Sequence, residues 1–213
     1  TFITPTGVNL PSVFLSPKSV WIIQRTRFSS RIRDFFSLII SKLSSPKVSG
    51  FWNRTFNLNR SSLVPIATAL HYQMYTAFAE ADEAALQKIC LEGIHDNLRA
   101  RLASRPQGEK VVWQLVKYNK QPKLISNRAA KTPIDGMIIR QAAVRICSRQ
   151  KLTRYSRTPD GNLEQINGSG KEKDLVEYLV IQRIYEQWQP KEWMVWGTAK
   201  ETSLNDIQEW DKD

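Results

Sequence analysis

A chain of 213 residues with 41% apolar content is long enough for one well-buried core and too apolar to be disordered throughout. Mean hydropathy is −0.40, and the strongest apolar run, Phe35–Ile40, falls far short of the ~20 residues a spanning helix needs. The net charge of +11 favours a polyanionic partner, nucleic acid or an anionic membrane surface, over a small substrate.

The charge is unevenly placed. The first sixty residues carry nine Lys or Arg against one acid, Asp34. Residues 109–158 carry twelve bases against Glu109 and Asp135, whereas residues 159–213 carry twice as many acids as bases. A solvated surface mixes its signs more evenly, so the molecule is expected to be polarised. The acid-poor, Arg- and Ser-rich composition of residues 1–60 is also that of a mitochondrial presequence. With Thr1 in first place, the expectation is that a presequence lay upstream and that this stretch is retained.

In chain order, residues 1–26 hold prolines and no sustained periodicity, which reads as an extended basic arm. Phe28, Ile32, Phe35, Phe36, Ile39 and Leu43 then recur at helical spacing, with Arg31, Arg33, Asp34, Ser37 and Lys42 between them. That predicts an amphipathic helix over 28–43, ended by Ser44-Ser45-Pro46. A polar linker follows to residue 61. Pro65 suits the first turn of a helix that carries Ile66, Leu70, Met74, Ala77 and Phe78 on one face. Asp82 caps a third helix, whose stripe is Leu86, Ile89, Cys90, Ile94, Leu98 and Leu102.

From Lys110 the pattern turns to antiparallel strands. Val111–Tyr118 and Pro122–Ala130 read as a hairpin through Asn119-Lys120-Gln121. Asp135-Gly136 turns the chain into a long strand, Met137–Arg154, with Val144, Ile146 and Leu152 on one face and Arg145, Arg149 and Lys151 on the other. The segment from Pro159, Asp160 and Gly161 to Gly170 reads as a loop too polar to pack. Strands Leu175–Trp188 and Trp193–Lys200 follow, then a short acidic helix, Leu204–Trp210. The expected fold is α+β: a basic extension, residues 1–61, and a domain, residues 62–213, with two helices packed on a curved antiparallel sheet.

Catalytic chemistry is not evident. His71 and His95 have no triad-like neighbours, and no cofactor or metal set stands out. Cys90 and Cys147 read as buried reduced thiols. Gly168-Ser169-Gly170 lacks phosphate-loop spacing. The acids Glu172, Asp174, Glu177 and Glu186 read as a solvated face. The tryptophans of the strands read as core, whereas Trp21 and Trp52, within the basic arm, are candidates for stacking on RNA bases.

The basic residues therefore carry the functional expectation. Arg25, Arg27, Arg31, Arg33, Lys42, Lys47, Arg54 and Arg60 in the arm are candidate RNA contacts. So are Arg140, Arg145, Arg149, Lys151, Arg154 and Arg157 on the long strand, because residues two or four apart share a face and a guanidinium fork pairs phosphate oxygens. The alternative is a membrane surface, with Phe35, Phe36 and Ile39 in the acyl region and the cations among headgroups.

The run Leu70-His71-Tyr72-Gln73-Met74-Tyr75-Thr76-Ala77-Phe78-Ala79-Glu80 carries a family likeness. With Asp82, Leu86, Ile89, Cys90, Ile94 and Leu98 it resembles the domain shared by the mitochondrial import-motor tether Tim forty-four, the mitochondrial large-subunit ribosomal protein forty-five and the Mba-one ribosome receptor. Trp113 and Leu124–Ala130 continue the likeness, which covers roughly residues 62–200. It implies a cystatin-like, nuclear-transport-factor-two-like cone and no catalysis. It also implies a place at the matrix face of the mitochondrial inner membrane, near the polypeptide exit of the large ribosomal subunit. The implied partners are ribosomal RNA and neighbouring large-subunit proteins, with anionic lipid or the insertion machinery as further possibilities and no small-molecule substrate. The import-motor branch of the family binds chaperones and cardiolipin instead.

Overall fold

The computed structural model describes residues 2–6, 9–11, 16–49, 53–158 and 162–210. Phe14, Phe51, Trp52, Pro159, Asp160 and Gly161 lie outside these, so the stacking expectation at Trp52 does too. The elements are α1 (Pro17–Ser44), β1 (Lys47–Ser49), β2 (Asn53–Arg54), α2 (Leu63–Glu80), α3 (Glu83–Ile89), α4 (Glu92–Ala103), β3 (Lys110–Lys131), β4 (Ile138–Arg157), β5 (Leu163–Gln165), β6 (Glu172–Glu186), β7 (Gln189–Pro190), β8 (Met194–Ala199) and α5 (Leu204–Trp210). Among the described residues the main sheet is antiparallel, in the order β3-β4-β6-β7, with β5 on β4 and β8 on β6.

Three predicted elements differ. The hairpin expected at Asn119-Lys120-Gln121 is instead one continuous strand, β3, paired along its length with β4. No glycine stands at 119–121 to take a hairpin's positive φ, and the irregularity is absorbed as bulges. The single helix expected from Asp82 is two. The Asp82 carboxylate does cap α3, accepting from the Ala85 amide at 2.9 Å. At Cys90–Leu91 the backbone turns extended, and Leu91 N–H donates to Val195 O at 2.8 Å. Pairing with β8 thus outcompetes a continuous apolar stripe. Finally, the segment read as unpackable carries β5, which pairs with the end of β4.

One face of the sheet is covered by α2, α3 and α4. Leu70 and Met74 of α2, Leu86, Leu98, Val144 and Ile146 of β4, and Leu179 and Ile181 of β6 form its buried core. Alternate residues such as Arg145 and Tyr178 face the other way and border a cavity with the N-terminal segment and α1.

The arm is more structured than its composition predicts. Helix α1 begins at Pro17, eleven residues ahead of the predicted start, with Pro in the first turn where its missing N–H costs nothing. It crosses the outer edge of β3 with its polar side inward. Ser126 Oγ donates to Asp34 Oδ2 at 2.6 Å, the Ala129 amide donates to Ser37 Oγ at 3.2 Å, and Ser41 is buried. The aromatic side faces out: Trp21, Phe28, Phe35 and Phe36 are 62%, 68%, 60% and 55% exposed.

Before α1, the chain closes on its own C-terminal region. Ile3 and Thr202 exchange hydrogen bonds at 2.9 Å, and Ile3, Ile23 and Ile207 are buried. The Glu201 carboxylate accepts from Thr6 N (3.0 Å), Thr6 Oγ1 (2.5 Å), Asn9 Nδ2 (2.9 Å) and the Tyr178 hydroxyl (2.7 Å). Burial pushes this carboxyl up, but the donors of Thr6, Asn9 and Tyr178 outweigh it and bring the pKa down to about 2.

A carboxylate depressed in the folded state stabilises it above the unfolded pKa, near 4.5, and loses that contribution as pH falls toward 2. Glu201→Gln is therefore expected to lower stability by about 1–2 kcal/mol at pH 7, after solvent screening. The gap to wild type should close between pH 4.5 and 2, as read by urea denaturation across pH.

Candidate nucleic-acid interface

On the open face of the sheet, β3 is out of step with β4. Register shifts separate Leu115 from Lys117, Tyr118 from Lys120, Lys120 from Lys123 and Leu124 from Ser126. Regular pleating would alternate lysines at i, i+3 and i+6 between faces. The extra residues instead pair Lys117 with Arg149, Lys120 with Cys147 and Lys123 with Arg145. Directly opposed residues share a face, so the bulges bring all three lysines to the side of Arg145 and Arg149. Lysine on an edge strand also discourages edge-to-edge pairing, so part of this row serves the fold.

Helix α1 extends the basic surface. Arg27 and Arg31 line the same cavity as Lys123 and Arg145. Two predicted arm residues therefore meet a predicted strand residue and a lysine that spacing did not single out. The signal for the lysines was present in the charge of residues 109–158, but the hairpin reading placed Lys120 at a turn and put Lys117 and Lys123 on separate strands.

The other predicted residues scatter. Arg25, Arg33, Lys47, Arg60 and Arg157 are exposed, as is Arg31 of the cavity, and Lys42 and Lys151 are half-buried, as is Arg145 of the cavity. Arg25 sits over the Trp21 ring at 5.5 Å. Arg54 donates to the carbonyls of Leu43 (2.7 Å) and Ser45 (2.6 Å), closing the C-terminus of α1. Arg149 forks onto Asp174 at 2.7 and 3.0 Å, and Arg154 forks onto Glu109 at 2.5 and 2.7 Å. The Arg149 guanidinium, with Asn119, holds the Asp174 carboxyl well below the usual carboxylate range. These two forks are engaged before any phosphate arrives.

Arg140 is a correction. It is 2% exposed, and its guanidinium donates to Asn127 Oδ1 (3.1 Å) and to the carbonyls of Asn57 (2.7 Å), Leu58 (3.5 Å) and Asn59 (3.3 Å). It lies over the rings of Phe56 and Trp193 at 5.6 and 5.7 Å. Burial lowers its pKa. It pins the linker ahead of α2 to the sheet and is withdrawn from any phosphate. Period-two spacing could not reveal this, because the carbonyls it satisfies lie some eighty residues upstream.

Glu177 is a second correction. Expected on a solvated face, it accepts from His71 Nε2 at 2.9 Å, Gln150 Nε2 at 2.7 Å and the Tyr75 hydroxyl. Burial raises its pKa, but these donors prevail and the net shift is downward; burial and Glu177 raise that of Tyr75. Trp113 stacks on Tyr75 at 5.2 Å and donates to Gln150 Oε1 at 2.9 Å. This network backs a cavity of about 610 Å³ between α2 and the sheet, with Leu152 and Leu175 on its walls. Among the described residues, no helix is long and apolar enough to cross a membrane, and no three His, Cys, Asp or Glu are grouped to hold a metal.

The family of MBA1-like proteins matches residues 2–212, across the N-terminal segment as well as the domain. The chain belongs to this family. MBA1-like proteins are ribosome-associated receptors of the mitochondrial inner membrane and not an enzyme family. A search of curated proteins returns no match. Among solved structures, the crystal structure of the intermembrane-space region of the chloroplast protein ARC6 aligns with 69% of this chain and 99% of its own, at 10% identity and a TM-score of 0.41, a likeness too distant to carry an argument.

Removing the Arg140 side chain leaves backbone carbonyls without their donor. Arg140→Ala is expected to cost about 2–4 kcal/mol in urea denaturation, a buried-network magnitude.

Proposed function

We propose that this MBA1-like protein is a non-catalytic component of the mitochondrial large ribosomal subunit, bound beside the polypeptide exit at the matrix face of the inner membrane. Its contact with ribosomal RNA is the face formed by Lys117, Lys120, Lys123 and Arg145 with the exposed arginines of α1. The observation that carries this reading is the bulged register of β3, which gathers three lysines that regular pleating would divide. Lysines on the rim of a sheet track a backbone without reading bases, as docking on a folded RNA requires.

Each neutralised phosphate releases counterions, so affinity falls with salt in proportion to the contacts made. Lys117→Gln/Lys120→Gln/Lys123→Gln should reduce the slope of log K against log salt by about 2–3 on large-subunit ribosomal RNA fragments. An unchanged slope would remove this face from the interface. Deleting residues 1–60 is a poorer test, because it also takes away the buried side chains of Ile3, Ile23 and Phe56.

A second reading rests on α1, where Phe28, Phe35 and Phe36 point away from the sheet and Ile39 is half-buried. An outward aromatic stripe beside Arg25, Arg31 and Lys42 suits an anionic lipid interface, where it helps orient the ribosome to the membrane. Phe28→Ser/Phe35→Ser/Phe36→Ser is expected to cut co-flotation with cardiolipin-containing vesicles at least tenfold, by the loss of apolar burial, and to leave RNA binding intact. Equal flotation of the variant would take the membrane role away from this helix.

A further inference from the structure

We infer that the cavity enclosed by the N-terminal segment, α1 and the open sheet face is a pocket for a phosphate group borne on a larger molecule. Its volume is about 370 Å³, and Arg27, Arg31, Lys123 and Arg145 converge on it from three separate parts of the chain. None of the four is ion-paired among the described residues. The acid in the lining, Asp34, already has Oδ2 engaged by the Ser126 hydroxyl at 2.6 Å.

Four cations against one carboxylate around one small space leave an excess of positive charge that repels itself. A bound dianion neutralises that excess and supplies acceptor oxygens to several donors at once. Phosphate fits better than carboxylate, since its tetrahedral oxygens meet donors arriving from several directions. The space exceeds a bare phosphate and has room for the group that carries it. A terminal phosphate of RNA and a phospholipid headgroup share that chemistry. The inference goes beyond the proposed RNA face, since a polyanion can track the lysine row with this pocket empty.

The test uses the full chain. Thermal unfolding is followed in sodium phosphate and in sodium chloride at matched ionic strength, for wild type, Arg27→Gln/Arg145→Gln and the remote control Lys131→Gln. Phosphate should raise the wild-type and control melting points saturably, and the double variant should need at least tenfold more phosphate for the same rise. Where the double variant does not fold in chloride, Arg145→Gln alone, a half-buried position, takes its place. Two further arms identify the carrier: 5′-phosphorylated against 5′-hydroxyl oligoribonucleotides, and phosphatidic acid against phosphatidylcholine vesicles. A tenfold preference in either arm supports the pocket and assigns the source; a phosphate response with no preference in either overturns the larger carrier and leaves free phosphate as the ligand. Equal melting in phosphate and chloride, or a wild-type response from the variant, overturns the pocket. Loss of the pocket with the lysine-dependent salt slope retained leaves the RNA face standing, and the converse result removes the RNA face alone.

Discussion

The hydrogen bond from Ser126 to Asp34 fixes a helix that is mounted against its own amphipathicity. A long helix ordinarily buries its apolar stripe. Here α1 turns Asp34, Ser37 and Ser41 toward β3, so hydrogen bonds, rather than aromatic burial, seat it. The rest of the N-terminal half takes its position from that seat. Arg27 and Arg31 come to face Lys123 and Arg145, while Trp21, Phe28, Phe35 and Phe36 are left to solvent. It also explains why an arm so poor in acids keeps one. With Asp34 replaced by an apolar residue, the Ser126 hydroxyl loses its acceptor and α1 loses its register on the edge strand.

Positive charge is used here in two ways that composition cannot separate. Arg140 and Arg54 spend their guanidiniums on backbone carbonyls, and Arg149 and Arg154 on neighbouring carboxylates. These are structural bonds, and exposed pairs of this kind contribute little to stability individually. Lys117, Lys120, Lys123, Arg27, Arg31 and Arg145 form no ion pair among the described residues. Composition cannot tell the cations spent on such bonds from these six, which the fold collects on one side of one sheet.

Much of the fold was legible because its signals are local. The stripe on α2, the Asp82 cap, the turn at Asp135-Gly136, the long central strand and the terminal helix α5 all rest on neighbours in sequence. The misreadings share a cause. The break at Cys90 depends on a backbone bond to Val195, and the burial of Glu177 depends on His71 and Tyr75 of a distant helix. The continuity of β3 depends on β4 supplying a partner along its whole length. The arginines of β4 were all read as candidate contacts, yet Arg140 lies under the Asn57–Asn59 linker and only Arg145 reaches the basic cavity. Hydrophobic period reveals which face a residue is on, and does not reveal what else the chain lays over that face.

The exchange between Ile3 and Thr202 imposes an order on how the protein is made. Ile3 and Thr6 have nowhere to dock until Glu201 and Thr202, nearly two hundred positions later, have been made. Contacts of such separation close last, after the helices and the central strands have formed. Until then the stretch from Ile3 to Thr6 is left undocked, and the synthesis of Glu201 and Thr202 is what withdraws it.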